Sequence, residues 1–278
     1  MLYLIFIAVF LILWGMFYAA MPALEHAKRF AARAVTRLST RFSRVGHYAN
    51  RFRSYVPLAL IVILGGFAVA WFGDQFMDLA ELLHANSPKL QDFDALAHAW
   101  AVSKRSASFT SFFITMTDVG SPGGMGALAG IVAVVLLVRR RFRWVGYLLV
   151  TAGGGALLNL ELKQYFARAR PALADMLKRA HGSSFPSGHA MGSTVVLLAL
   201  SYLAARTTTQ WRWKAACLAL AWALIFAVSI SRVYLGAHWI SDVAAGISAG
   251  ALWTGITTIA YETARRIRML RSVRVSGS

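Results

Sequence analysis

The chain has 278 residues, of which 58% are hydrophobic and only 14% are charged. This composition excludes an ordinary soluble globular protein, and the single cysteine excludes a disulfide framework or a thiolate metal site. A formal net charge of +18 is common in nucleic-acid-binding proteins, but here the lysines and arginines cluster between apolar runs. We therefore predict an all-α, polytopic transmembrane helical bundle that binds no nucleic acid.

The first 54 residues combine an apolar run with a basic segment. Residues 1–24 carry no charged side chain and predict an N-terminal transmembrane helix with its N-terminus outside. Residues 25–54 repeat arginine every four positions, at Arg29, Arg33 and Arg37, with apolar residues in between. This pattern predicts a basic amphipathic segment lying on the anionic cytoplasmic leaflet, and a solvated linker helix is the alternative.

The remainder of the chain predicts a six-span core over residues 55–262, followed by a basic cytoplasmic tail over 263–278. The expected spans are 55–72, 125–138, 144–162, 190–205, 215–230 and 240–261. The span at 125–138 is short unless the preceding apolar segment, residues 109–120, also enters the membrane. Between the first two spans lies a long, more polar outward stretch that ends in the turn sequence DVGSPGG.

The distribution of basic residues gives the topology. Four segments between or after the spans hold 20 of the 29 lysines and arginines: 25–54, 139–143, 206–214 and 262–278. The opposite side holds the remaining 9. The positive-inside rule places the basic side in the cytoplasm, so the loop 163–188 and the turn containing Arg232 are predicted to face outward.

Three polar motifs flank the spans on this outward side. They are Lys163–x6–Arg170–Pro171, then Pro186–Ser187–Gly188–His189, and then Ser231–Arg232–x5–His238–x3–Asp242. Charged residues at membrane boundaries are costly unless they are paired or functional. Because the topology brings all three motifs to one face, we interpret them as parts of one site.

The residue types of the motifs suit a phosphoryl group. Charge in the phosphoryl-transfer transition state spreads over three equatorial oxygens, and the three cations Lys163, Arg170 and Arg232 can balance it. Pro186 is compatible with the first turn of a helix, which would leave the backbone amides that follow it free to bind an anion. Glycine at position 188 allows close approach of the phosphate, and Ser187 adds a hydroxyl donor.

The spacing of His238 and Asp242 places both on one face if they begin the last helix. A carboxylate on one ring nitrogen fixes the tautomer and leaves the other nitrogen free to act as a nucleophile. The residues alone identify no cluster of acidic side chains with metal-ligand spacing, so we expect neither a metal nor a cofactor.

Together the three motifs resemble the signature of the type 2 phosphatidic acid phosphatase superfamily, which includes lipid phosphate phosphatases and is similar to vanadium haloperoxidases. The resemblance covers about residues 55–262 and leaves out the N-terminal segments. It implies that His238 is the nucleophile and forms a phosphohistidine, that Asp242 orients it, and that His189 is the general acid and base. Lys163, Arg170, Ser187, Gly188 and Arg232 are the implied phosphate-binding residues.

The expected function is a metal-independent lipid phosphatase in the bacterial inner membrane, with its active site facing the periplasm. Undecaprenyl diphosphate, phosphatidylglycerol phosphate and phosphatidate are the substrates considered, and membrane lipids are the expected partners. A lipid-to-lipid phosphotransferase using the same site is an alternative, and a non-catalytic lipid-binding or transport protein is a third. The residues assign neither the lipid nor the oligomeric state.

Several polar residues and glycines fall outside these roles. Glu161 is predicted to pair with Lys163 or Arg168 or to face a polar cavity, whereas Arg168 either assists phosphate binding or neutralises its loop. Three histidines in outward loops are expected to be surface residues without partners: His84, His98 and His181. The small residues Gly246 and Gly250 predict close helix packing.

Overall fold

A computed structural model describes residues 2–41 and 56–275, and in these ranges the chain forms nine α-helices and no strand. The helices are α1 (Leu2–Arg41), α2 (Val56–His84), α3 (Pro88–Ser103), α4 (Ala107–Val119), α5 (Pro122–Val138), α6 (Phe142–Phe166), α7 (Gly188–Ala205), α8 (Trp211–Tyr234) and α9 (Ile240–Val275). A single 3-10 turn, Leu173–Asp175, lies in the loop between α6 and α7. The predicted all-α fold is confirmed.

The core contains helices that are long and apolar enough to cross a membrane. Five satisfy this alone: α2 from Val62, α6, α7, α8, and α9 as far as Met269. The shorter α4 and α5 satisfy it together, bent by 50° relative to each other, which brings the number for the core to six. Ser121 causes the break, since it caps α5 by accepting a hydrogen bond from the Gly124 amide over 3.0 Å.

The polar stretch between the first two predicted spans is mostly helical. Helix α2 does not end near residue 72 but continues to His84, so the predicted boundary of the first core span is wrong. Residues such as Asp74 and Glu81 interrupt the apolar run but are good enough helix formers, and their side chains are exposed. The chain turns only at Asn86, which has a positive φ of 48°.

Helix α1 joins the predicted N-terminal span and the start of the basic segment without a break. Its apolar part, Ile5–Ala20, is shorter than the roughly 20 residues that cross a bilayer. The helix packs along α8, and the indole of Trp14 donates a hydrogen bond to the Arg212 carbonyl over 3.1 Å. A transmembrane α1 therefore stays a prediction, and residues 42–54 of the predicted amphipathic segment lie outside the described residues.

Helices α7 and α9 pack closely through the two glycines of α9. A Cβ atom on Gly246 would lie 2.8 Å from the Ser187 carbonyl oxygen, and one on Gly250 would lie 2.8 Å from Cβ of Thr194. The predicted role of these glycines in helix packing is confirmed, and the contact is within the chain. It brings the beginnings of α7 and α9 together, where two of the three motifs lie.

Candidate active site

The three motifs meet at one end of the bundle, as the topology predicts. Lys163 lies in the last turn of α6, Arg170 in the loop that follows, and Arg232 in the last turn of α8. His238 occupies the short turn before α9, and Asp242 lies in the first turn of that helix. The amide of Ser187 donates to the Asp242 carbonyl over 2.9 Å, which joins the second motif to the third.

A buried histidine–aspartate pair lies at the centre of the site. The side chains of His238 and Asp242 are 2% and 0% exposed, and Nδ1 of the imidazole is 3.5 Å from Oδ2 of the carboxylate. The same Oδ2 accepts hydrogen bonds from the Trp239 amide over 2.9 Å and from the hydroxyl of Ser184 over 2.5 Å. These contacts fix the carboxylate beside the ring.

The other ring nitrogen of His238 faces Arg170, whose Nη1 is 3.0 Å from Nε2. A guanidinium can only donate, so Nε2 must carry the lone pair and Nδ1 the proton. Burial lowers the pKa of His238 to about 4, an effect that Asp242 partly opposes. The imidazole is therefore neutral at physiological pH, and its lone pair on Nε2 accepts a hydrogen bond from Arg170 of the first motif.

Two of the predicted phosphate-binding cations, Arg170 and Lys163, donate to backbone carbonyls near His238. Arg170 also donates to backbone carbonyls of the loop at His181, Gly182 and Ser183, and to that of Ala237. Lys163 donates from Nζ to the Ser183 carbonyl over 2.7 Å. Both side chains line a cavity of about 550 Å³ formed largely by the loop after α6.

Arg232 is the third cation and is 3% exposed. Its Nη1 donates to the hydroxyl of Thr117 over 2.5 Å, whereas its buried Nε has no hydrogen-bond partner among the described residues. A buried guanidinium donor without an acceptor is costly in a folded protein, so this atom is suited to an oxygen that a ligand would bring.

The second motif differs from the prediction in its cap. Helix α7 begins at Gly188 with Ser187 as its N-cap, so Pro186 precedes the helix and is not in its first turn. Ser187 accepts from the Ala190 amide through its hydroxyl and uses its own amide on Asp242, so that amide is not a free donor. Helix geometry leaves the amides of Gly188 and His189 without an intrahelical acceptor.

Gly188 and His189 begin helix α7 close to the residues of the other two motifs. A Cβ atom on Gly188 would be 3.1 Å from Oδ1 of Asn159 and 3.6 Å from Cε of Lys163, so glycine keeps the space beside the lysine open. The ring of His189 is half-buried in the first turn of α7 and interacts electrostatically with Arg232 and His238. The two histidines therefore belong to one site.

Arg168 contacts no phosphate-binding residue but turns toward two carboxylates, those of Asp94 and Asp242. The predicted pairing of Glu161 with Lys163 or Arg168 is wrong, because both cations have other partners and Glu161 is exposed. Asp94 and Ser184 are site residues that the sequence analysis missed. No spacing relative to the motifs identifies Asp94, which lies 74 residues before Arg168.

The loop between α6 and α7 is fastened to the turn that carries His238. Arg105 donates to the Asp175 carbonyl over 2.6 Å and to the Tyr234 carbonyl over 3.1 Å. The predicted isolation of His98 is wrong: it is half-buried, with Nε2 3.1 Å from Oδ2 of Asp175. Gly236 has a φ of 73° and lies so close to the same segment that a Cβ atom would be 2.5 Å from the Asp175 carbonyl oxygen.

Within residues 2–41 and 56–275, no group of three or more His, Cys, Asp or Glu side chains is arranged to hold a metal ion. The expected metal independence stays a prediction. The fold and the site together define a multi-pass helical membrane protein with a buried histidine placed beside a cluster of cations.

Comparison with known proteins identifies the family. The model of the PAP2 superfamily matches residues 143–266, which contain all three motifs. Phosphatidylglycerophosphatase B of Bacillus subtilis is 32% identical over 64% of this chain and 86% of its own length. Undecaprenyl-diphosphatase of Sulfolobus acidocaldarius is 30% identical over 51% of this chain and 67% of its own length.

A solved structure supports the same family assignment. The crystal structure of a transmembrane PAP2 type phosphatidylglycerolphosphate phosphatase from Bacillus subtilis superposes with a TM-score of 0.63 and 27% identity, covering 69% of this chain and 94% of that one. This chain belongs to the PAP2 superfamily.

Proposed function

We propose that the protein is a lipid phosphatase that removes phosphate from a lipid phosphate or diphosphate through a phosphohistidine on His238. The contact between Arg170 and Nε2 of His238, at 3.0 Å, carries this proposal. It places a phosphate-binding cation beside the only lone pair of a neutral imidazole whose other nitrogen faces a carboxylate. The lipid phosphatases among the relatives give further support.

In the first step, Nε2 of His238 attacks phosphorus while the bond from phosphorus to the lipid oxygen breaks. His189 takes up a proton when the anionic phosphate binds beside it and donates that proton to the lipid oxygen, so the lipid leaves as an alcohol or as a lipid monophosphate. The imidazole of His238 becomes positively charged in this step, and Asp242 stabilises that charge through Nδ1–H. Phosphate oxygens replace Nε2 of His238 and the loop carbonyls as acceptors for Arg170, which frees the lone pair of Nε2 for the attack. They also replace the Ser183 carbonyl on Lys163 and reach the unpaired Nε of Arg232.

In the second step, His189 is neutral and takes a proton from water as the water oxygen attacks the phosphohistidine. The phosphorus–nitrogen bond breaks, inorganic phosphate leaves, and His238 recovers its lone pair. The amides of Gly188 and His189 and the cations of the first and third motifs stabilise the developing charge in both steps. The net reaction consumes one water and needs no metal or cofactor.

We place this site at the periplasmic face of a bacterial inner membrane. The distribution of the basic residues supports this orientation, because 20 of the 29 lysines and arginines fall in the four segments predicted to lie on the other side of the membrane. The lipid tail then remains in the bilayer while its head reaches the cations. In this arrangement residues 25–54 lie at the cytoplasmic leaflet, outside the six-span phosphatase core.

A panel of lipids in detergent tests the reaction. Purified protein is assayed for phosphate release from phosphatidylglycerol phosphate, phosphatidate, undecaprenyl diphosphate and lipid A phosphate, with and without an acceptor lipid. We expect metal-insensitive release from at least one lipid, an acid-labile phosphoprotein, and neither in His238→Ala. Phosphate transfer that requires the acceptor indicates a phosphotransferase, and binding without turnover on every lipid indicates a binding protein; both results overturn the proposal.

A further inference from the structure

Arg168 forms a bridge between two buried carboxylates. Its Nη1 donates to Oδ1 of Asp242 over 2.6 Å, and its Nη2 donates to Oδ2 of Asp94 over 2.7 Å. The side chains of Asp94, Arg168 and Asp242 are 2%, 12% and 0% exposed. The oxygen of Asp242 that Arg168 occupies is not the one that faces His238, so the two contacts coexist on one carboxylate.

Ser241 completes this bridge. Its hydroxyl donates to Oδ2 of Asp94 over 2.6 Å and accepts from Nη1 of Arg168 over 2.7 Å. Its amide, in the first turn of α9, donates to Oδ1 of Asp94 over 3.0 Å. Asp94 therefore reaches from α3 to the helix turn that carries Asp242, and it fixes Arg168 and that turn at the same time.

The charges explain why a second carboxylate is needed. Asp242 must stabilise the positive imidazole that forms when His238 attacks phosphorus. An arginine paired with Asp242 alone would neutralise it and weaken that support. Asp94 supplies the counter-charge of Arg168, so the three side chains together keep one net negative charge beside His238.

Arg168 lines the same cavity as Lys163 and Arg170, but its guanidinium is already paired. Both of its terminal nitrogens are used by Asp94, Asp242 and Ser241, and the ring of Trp239 lies 5.8 Å from its guanidinium carbon. It differs in this from Arg170, only two residues later, whose guanidinium faces the lone pair of His238.

We propose that Asp94 and Arg168 are positioning residues for the phosphohistidine step, which hold Asp242 in the orientation and charge that support His238. This inference rests on the proposed function. It assigns a role to the helix α3 and to the arginine within the spacer of the first motif, neither of which touches the reacting atoms.

The test is the steady-state kinetics of Asp94→Asn, which keeps the size of the side chain and an oxygen for the Ser241 amide but removes the charge. We expect kcat to fall about tenfold or more while KM changes by less than about threefold, because the phosphate contacts are intact. Arg168→Lys keeps more activity than Arg168→Gln, since a lysine retains the charge but cannot bridge both carboxylates equally. Asp92→Asn, an exposed residue on α3, is the matched control.

A purely structural role gives a different result. If Asp94→Asn lowers the thermal midpoint but leaves kcat per folded protein at the wild-type value, the inference is wrong. If that variant does not fold, the double variant Asp94→Asn/Arg168→Gln, which removes both charges, replaces it. We expect it to be no slower than Arg168→Gln alone, and a further loss of rate in the double variant contradicts the coupling.

The failure of this inference is distinguishable from that of the proposed function. An active wild type with an inactive His238→Ala and a fully active Asp94→Asn overturns only the inference. The ring-nitrogen shifts of His238 in ¹⁵N-histidine-labelled protein provide a readout without turnover, with the signals assigned by their loss in His238→Ala. Asp94→Asn should change them and Asp92→Asn should not, and unchanged shifts in Asp94→Asn count against the role of Asp94.

Discussion

Ser184 donates a hydrogen bond from Oγ to Oδ2 of Asp242 over 2.5 Å, and both side chains are completely buried. Its hydroxyl oxygen is also 3.4 Å from Nδ1 of His238. A serine outside all three motifs therefore contacts both members of the proposed catalytic pair.

Ser184→Ala should lower kcat about tenfold with little change in KM, because a hydrogen bond to a charged group is lost beside the proposed nucleophile but the proposed phosphate-binding cations remain. Steady-state kinetics on the preferred lipid measure this. Ser201→Ala, which removes a buried hydroxyl from the opposite end of α7, is the control and should retain wild-type rates. Equal rates in the two variants would show that the hydroxyl of Ser184 is not needed.

The burial of His238 predicts how stability depends on pH. The pKa of His238 is lowered to about 4 in the folded protein, against an ordinary value of 6.5. Between these two pH values His238 is protonated in the unfolded chain and neutral in the folded one. The stability associated with the neutral imidazole is present above about pH 6.5 and is lost as the pH falls toward 4. Thermal unfolding in detergent between pH 4 and 8 should show a smaller acid-side loss for His238→Gln than for the wild type. Parallel curves would contradict the lowered pKa.

The contact between α7 and α9 predicts that the same glycine-to-alanine substitution changes the stability differently at two positions. Gly250→Ala places a methyl group 2.8 Å from Cβ of Thr194 and should destabilise the fold by about 1–3 kcal/mol. Gly153→Ala, in the middle of α6, meets nothing within 4 Å and should be neutral or stabilising by about 0.5–1 kcal/mol. Thermal midpoints of the two variants in the same detergent give the comparison, and a similar effect of both would be inconsistent with the packing.

The orientation of the protein is testable with single cysteines in a Cys217→Ala background. Arg179 lies exposed in the loop after α6, and Thr209 lies exposed between α7 and α8 at the other end of the bundle. A membrane-impermeant maleimide should label Arg179→Cys in intact cells, and Thr209→Cys only after lysis. The reverse pattern would place the site in the cytoplasm.

The residues in the three motifs could be found from the sequence because their types and spacings reflect one chemistry and the topology brings them to one face. His238, Asp242, Arg170 and Lys163 all meet at the end of the bundle, as predicted. Their individual roles in catalysis stay predictions. The six core spans could also be predicted, because apolar runs of this length are typical of membrane-spanning helices.

What the sequence did not predict depends on long-range contacts. Asp94 is one of several acids in a polar stretch, and only the packing of α3 against the start of α9 distinguishes it from the exposed Asp92. The position of Pro186 was predicted from helix propensity alone. The tertiary bond from the Ser187 amide to Asp242 instead makes Ser187 the cap and leaves the proline before the helix.

Because Arg105 fastens the loop between α6 and α7, some surface segments of the chain cannot be altered freely. Surface loops usually tolerate insertions. Residues 173–177 are an exception, since Asp175 accepts from Arg105 and the Leu177 amide donates to the Leu235 carbonyl, three residues before His238. An epitope tag placed there is expected to displace the turn that holds His238. The exposed connection at 207–210, at the far end of the bundle, is the better place for a tag or a fusion partner.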